Sequence, residues 1–429
     1  MFDTRLDRRA MLTGGAGLLA FGATPAFART ALARRDAIGW SELGPFLDRF
    51  ARDKELPGLA ASVARGTDDA MFFNTGTLAR GSARRVDPDS LFRIYSMTKP
   101  ITGIAAMLLI EDGKLGLDQD IGDILPAFKN PRVLIDGTKN LESRPATGPI
   151  TVRHLLTHTA GLGYTITTKG PLLDAYNAAG LVSGAISRRP IPGLPAVKPA
   201  PGLTAFADRL AALPLIADPG AKWSYSASLD LLGRVIEVAS GMNLEAFFQS
   251  RLFDPLGMTS TAFRVPEAST ARLTTNYAVT PLGRIAIDPG NDSVFSDPPA
   301  IVLGGAGLVS SPRDFDRFLA MLAGLGAIGR TRIMKAETAR LAMSNLLPPG
   351  ADTSGTFVDG QGFGAGGRVT LVSEPGGRGV GTFGWAGAAA TIAWVDPTRG
   401  VRAAGYAQYV PDASLGFPVA FAKTVYASL

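Results

Sequence analysis

The chain has 429 residues, 46% of them hydrophobic and 19% charged, which is enough to bury a large core and unlike a disordered chain. It contains no cysteine, and this excludes disulfides, thiolate catalysis, cysteine-bound zinc, iron–sulfur clusters and lipoprotein acylation. The net charge of +6 is scattered. Pairs such as Arg84-Arg85 and Arg188-Arg189 lack the neighbouring aromatic platform of a nucleic-acid site, so nucleic acid is not an expected partner.

Residues 1–28 read as an export signal. Arg8-Arg9 precede an apolar run, Met11 to Ala23, that is too short to span a bilayer. Ala26-Phe27-Ala28 then supplies the small-x-small pattern for cleavage after Ala28. The arginine pair points to the twin-arginine route, with a general secretory signal as the alternative. Removing this segment takes three arginines and two aspartates and leaves a charge of +5. No later apolar run is long enough for a membrane span, and the expected location is the bacterial periplasm or the exterior.

In the mature chain, Gly58 to Ala64 and Met71 to Phe73 are apolar runs separated by glycine and aspartate, predicting a hairpin of buried strands. From Ser96 to Glu111 the period becomes helical. Ile101, Ile104, Ala105, Leu108 and Leu109 recur at three- and four-residue spacings, and Gly113 closes the run. The middle reads as short helices, at Arg153 to Thr157, Phe206 to Leu213, Asp230 to Ser240 and Leu244 to Leu252, with an extended loop from Pro190 to Pro201. Pro312 to Leu325 is a further helix, opened by Pro312 and Asp314 after Ser310-Ser311.

Strand texture returns at Gly362 to Leu371, Gly381 to Trp394 and Val401 to Tyr409, with Asp396 to Gly400 as the last turn, before a closing helix at Ala413 to Leu429. The layout predicts an α/β (α+β) fold whose sheet is built from both chain ends, residues 29–115 and 295–429, around an inserted all-helical lobe, residues 116–294.

Chemistry is concentrated at Ser96-Met97-Thr98-Lys99. With Ser96 at the helix start, Lys99 lies one turn on along the same face, so hydroxyl and amine can meet. A serine hydroxyl is a weak nucleophile until a base takes its proton, and a lysine serves only where burial lowers its pKa toward neutrality. The free amides of a helix start also favour a developing oxyanion. Among ten lysines only Lys99 has a serine three residues earlier. A second element, Trp223-Ser224-Tyr225-Ser226-Ala227, holds a tyrosine in a turn, where a phenol can relay a proton. In the third, Gly384-Trp385-Ala386-Gly387-Ala388, small residues let a substrate lie against a strand backbone.

The ordered triple resembles the serine β-lactamase and penicillin-binding protein superfamily, nearest to class C β-lactamases and the carboxylesterases similar to them. Supporting segments are Leu91 to Tyr95, Leu155 to Leu162 and Gly304-Gly305-Ala306-Gly307-Leu308, and the likeness runs from about Ala37 to Val425. It implies an antiparallel sheet flanked by helices and no cofactor. It also implies an acyl-enzyme on Ser96, with Lys99 as its base or as the group that keeps Tyr225 active. The backbone amides of Ser96 and Ala388 match the oxyanion hole, and Trp385, Ala386, Gly387 and Ala227 fall on substrate-binding positions.

Two positions depart from the family pattern. Its amide-contacting asparagine is Ala227 here, and Lys-Thr-Gly becomes Trp385-Ala386-Gly387, without the cation and hydroxyl that grip a carboxylate. Charge-assisted bonds of that kind are worth about 1.5–3 kcal/mol each. The departure favours a carboxylesterase acting on a neutral ester. A β-lactamase, a D-amino-acid peptidase, an acyl transferase and a non-catalytic binding protein are the alternatives.

His154 and His158, the only histidines, stand at i, i+4 spacing, but the His-Glu-x-x-His of a zinc helix is absent and no metal is expected. No serine has glycine at both −2 and +2, which argues against a nucleophile elbow and leaves His158 a poor triad base.

Overall fold

The computed structural model describes residues 39–191 and 195–429. The export signal, with its cleavage point after Ala28, and residues 192–194 of the proline-rich loop lie outside the described residues.

Seven antiparallel strands form the main sheet, and both ends of the chain supply them. They are β1 (Gly58–Arg65), β2 (Met71–Gly76), β3 (Gly362–Phe363), β4 (Arg368–Val369), β5 (Phe383–Gly387), β6 (Thr391–Asp396) and β7 (Val401–Tyr406), in the order β3-β4-β5-β6-β7-β1-β2. Central strands β6 and β7 are buried along their whole length; they are mostly apolar and small residues, and the one arginine among them, Arg402, is paired with Asp316 at 2.9 Å. Asp396 accepts the Arg399 amide at 2.8 Å, and Gly400 at φ +63° completes the turn between them.

The helices that matter here are α1 (Leu43–Asp53), α2 (Thr98–Glu111), α3 (Val152–Leu156), α4 (Ser228–Ser240), α5 (Pro312–Ala323) and α6 (Phe417–Ala427). Helix α1 packs on β2 and α6, whereas α5 lies on β6 and β7. Ser311 caps α5 by accepting the Asp314 amide, with Pro312 in the first turn as its sequence predicts.

Helix α2 is buried well beyond the apolar positions that mark its period in the sequence. It packs against α4 and β5, and every side chain from Thr98 to Leu109 is buried. The polar face survives because its groups are satisfied: Thr102 donates to the Gly304 carbonyl at 2.6 Å.

The middle of the chain is mainly helical and also carries two small hairpins, Arg132–Leu134 with Ser143–Pro145 and Asn276–Thr280 with Gly283–Asp288. Their strands are too short for alternation to stand out in the sequence. A helix at Pro171–Ala178 was likewise not foreseen. Residues Ser41–Leu429 pack as one unit.

Candidate active site

Three residues before the serine, Arg93 is fully buried and saturated with acceptors. It reaches Asp288 Oδ2 at 2.5 Å, the Thr274 carbonyl at 2.6 Å, the Asp288 carbonyl at 3.1 Å and Ser293 Oγ at 3.0 Å. From this anchor the chain turns sharply. Tyr95 sits at φ +40°, a left-handed conformation that costs a non-glycine residue about 1–3 kcal/mol unless its surroundings enforce it. The Tyr95 ring packs edge-on against Phe295, and burial pushes its phenol up to about 12. Ser96 therefore occupies a single 3₁₀ turn, Tyr95–Met97, just ahead of α2, rather than the first turn of the α-helix itself.

From the first turn of α2, Lys99 puts its Nζ 3.2 Å from Ser96 Oγ and donates to the Gly305 carbonyl at 2.7 Å. The side chain has no solvent exposure, and among the described residues no carboxylate forms an ion pair with it. The Tyr225 hydroxyl donates to the same Ser96 oxygen at 2.6 Å, and the Tyr225 ring lies 4.6 Å from Lys99 Nζ. The three groups named from the sequence motifs are thus in mutual contact. Ser96 and Tyr225 are each 8% exposed, so a reactant can approach the oxygens while the amine stays dry.

Strand β5 closes the other side. A Cβ at Gly387 would come within 2.2 Å of the Ile94 carbonyl oxygen, so only glycine lets this strand lie flush against the segment leading to Ser96. Ala388 follows directly and is exposed, beside the nucleophile segment as an oxyanion amide requires. Trp385 is half-buried and donates its indole N–H to the Tyr225 oxygen at 3.3 Å. Strand alternation sends the Ala386 methyl to the opposite face, leaving only its backbone available on the Trp385 side. Ala227 is buried at the start of α4, its amide donating to the Gly163 carbonyl at 3.1 Å, and its methyl offers no hydrogen bond.

The two histidines do not share a helix face, because α3 ends at Leu156 and His158 sits beyond it at φ +57°. His154 completes a capping box: its Nδ1 accepts the Thr151 amide at 3.2 Å, and burial pushes it down to about 4. His158 Nδ1 accepts the Ser226 amide, and its ring packs 4.9 Å from that of Tyr225. Burial and the nearby Lys99 charge hold this imidazole well below the usual histidine range. It braces the Tyr225 turn as a neutral ring.

Sequence reasoning missed Tyr164 and Asp230. The Tyr164 ring lies 5.4 Å from Lys99 Nζ and meets Tyr225 edge-on. Asp230 is fully buried, with Oδ1 accepting the Gly305 amide at 2.7 Å. Its signal was legible, since an acid inside the apolar run Leu229-Asp230-Leu231-Leu232 is costly unless used.

A mixed α/β fold in which a turn-borne serine meets a buried lysine and a tyrosine defines the serine hydrolases and acyltransferases of β-lactamase fold. The β-lactamase family model matches residues 45–421, and the chain belongs to that family. It is 31% identical to esterase EstB of Burkholderia gladioli over 84% of this chain and 88% of that one. It is 29% identical to the monacolin J acid methylbutanoyltransferase of Aspergillus terreus over 70% of each. The solved structure of EstCE1, a hydrolase with promiscuous acyltransferase activity, superposes with a TM-score of 0.71 at 27% identity, covering 93% of this chain and 100% of that one.

Proposed function

We propose that the protein is a carboxylesterase working through an acyl-Ser96 intermediate. The observation that carries the reading is the double contact on Ser96 Oγ, from Tyr225 at 2.6 Å and Lys99 at 3.2 Å. Ser96 Oγ attacks the ester carbonyl carbon and gives up its proton to the Lys99–Tyr225 pair. The amides of Ser96 and Ala388 hold the oxyanion that results. Collapse expels the alcohol, which takes the proton back through Tyr225. Water then attacks the acyl-Ser96 carbonyl, the acid leaves, and the serine recovers its proton.

A neutral ester rather than a β-lactam is supported by Trp385. An indole stands on the strand where a carboxylate-binding cation would be needed, and it is committed to Tyr225. The likeness to EstB supports the same choice.

Hydrolysis of short aryl esters by the protein and by Ser96→Ala tests the assignment; equal rates in both would overturn it. Much greater efficiency on a chromogenic cephalosporin would replace it with β-lactam hydrolysis. Acyl transfer is the second reading, favoured by the matches to a methylbutanoyltransferase and to EstCE1. Capture of the acyl group by an added alcohol in preference to water would establish it.

The proposal includes export, with residues 1–28 removed after Ala28 and the mature enzyme in the periplasm. N-terminal sequencing of the protein from a periplasmic extract tests this.

A further inference from the structure

Two largely buried elements lie behind the nucleophile that the reaction above does not use. One is the Asp230 carboxylate on α4. The other is the Gly304–Leu308 strap that runs between α4 and α2. The strap is fixed at its first two residues by three bonds: Thr102 donates to the Gly304 carbonyl at 2.6 Å, Lys99 to the Gly305 carbonyl at 2.7 Å, and the Gly305 amide donates to Asp230 Oδ1 at 2.7 Å. Gly305 is required there, since a Cβ would lie 2.6 Å from Oδ1 and 2.9 Å from Oδ2 of Asp230. The second oxygen, Oδ2, is buried and has no hydrogen-bond partner among the described residues.

A buried acid with a bare oxygen is expensive in a folded chain and calls for a compensating role. The groups facing Asp230 are Lys99 from α2, which favours its ionised form, and Tyr164 from the segment after α3, which is itself next to Tyr225. Among the described residues, Lys99 is the charged group that acts on it.

We infer that Asp230 is a positioning residue for Lys99. Its carboxylate clamps the Gly305 peptide that receives the Lys99 amine, and its negative charge favours the charged form of that amine, which keeps Tyr225 active against Ser96. This rests on the acyl-Ser96 reading. The geometry separates two contributions, since the clamp needs only an oxygen acceptor whereas the second effect needs a charge. Burial pushes the Asp230 carboxyl up to about 6 against the attraction of Lys99, so the charge is lost within an accessible pH range.

Asp230→Asn keeps an oxygen for the Gly305 amide and removes the charge, and Asp230→Ala removes both. The readouts are the pH dependence of kcat/KM on an aryl ester and the rate at which a fluorophosphonate labels Ser96. The intact protein is expected to lose activity as pH falls through about 6. In Asp230→Asn that acidic limb should disappear, with the plateau rate lower by about 10- to 100-fold. Asp230→Ala should be slower still, and Gly305→Ala, which pushes the carboxylate away from the other side, should reproduce the loss if the Asp230 variants fold poorly.

An Asp230→Asn profile parallel to the wild type at every pH would reduce the residue to packing and overturn the inference. Undiminished ester hydrolysis or labelling in Ser96→Ala, by contrast, removes the acyl-Ser96 reading itself.

Discussion

The Trp385 indole N–H and the Tyr225 hydroxyl oxygen are joined at 3.3 Å, across 160 residues of chain. The Trp385 ring is also 5.7 Å from that of Tyr225 and 5.3 Å from that of Phe363, so it both holds the phenol and walls the cleft. Trp385→Phe keeps the wall and deletes the donor. A neutral hydrogen bond contributes about 0.5–1.5 kcal/mol, so kcat/KM on an aryl ester should fall roughly 2- to 12-fold. Trp385→Ala should fall further by loosening the Tyr225 ring. Steady-state kinetics of both variants decide the point, and a Trp385→Phe enzyme as fast as the parent would show the indole N–H to be idle.

Tyr225→Phe and Lys99→Met should each lower the rate of Ser96 acylation by about 10²–10⁴, the usual scale for losing proton transfer from a placed group. Both groups act on one oxygen, so the double variant should be little slower than the worse single one. Stability separates them. Tyr225→Phe leaves the packing intact, whereas Lys99→Met strands the buried Gly305 carbonyl at a cost of about 1–3 kcal/mol. Stopped-flow burst kinetics and urea denaturation measure the two effects independently. Multiplying losses in the double variant would mean that the residues serve different steps.

The nucleophile and its lysine were legible because they are local, one helical turn apart on a periodic helix. Tyr225 and Trp385 were legible only through their motif order, since nothing in their spacing states that 129 and 160 residues of chain return to Ser96 and Tyr225. Asp230, Tyr164 and the role of Gly305 were not found, because they meet by packing between α2, α4 and the strap; Tyr164 and Gly305 look ordinary within their own segments, and only Asp230, an acid inside an apolar run, carried a local signal. The complete burial of α2 could not be read from its sequence for a related reason. Apolar periodicity reports the face that must be buried, not polar faces whose partners come from elsewhere in the chain. His154 and His158, at i, i+4 spacing, do not share a face because the helix ends between them.

His154 predicts how stability responds to acid. It is the third residue of α3 and is held neutral, down to about 4 from an ordinary 6.5. Between those values the unfolded chain takes up a proton that the folded chain refuses, so stability falls as pH drops from about 6.5 to about 4. The full loss approaches about 3 kcal/mol. Asp230 works in the opposite sense: its raised carboxyl binds a proton more readily in the fold, which stabilises the fold as pH falls from about 6. A total curve mixes the two, so the difference from a variant is the useful quantity. His154→Gln preserves the capping box, for which Gln is a usual third residue, and abolishes the titration. The variant should match the parent near pH 7.5 and exceed it in urea midpoint near pH 4.5. Parallel midpoints across that range would show that His154 does not carry the effect.

The segment that presents Ser96 should be most sensitive at Arg93. The guanidinium satisfies a carboxylate, two carbonyls and a hydroxyl from Thr274, Asp288 and Ser293, and also approaches Gln408 Oε1 at 3.2 Å, all without solvent. Asp288 is buried as completely and takes further bonds from Ser293 Oγ at 2.6 Å and the Val294 amide at 2.9 Å. Removing one partner of such a pair leaves an uncompensated buried charge and costs about 3–5 kcal/mol, more than the pair itself contributes. Arg93→Met should therefore lose about that much in urea denaturation, and Arg93→Met with Asp288→Leu should recover part of it. Activity should follow a different course. The double variant regains stability without the hydrogen bonds that hold the turn at Tyr95, so labelling of Ser96 should stay slow even where the fold is restored. Recovery of both together would mean that the left-handed Tyr95 is set by packing against Phe295 alone, and that the Arg93 cluster only supports the fold.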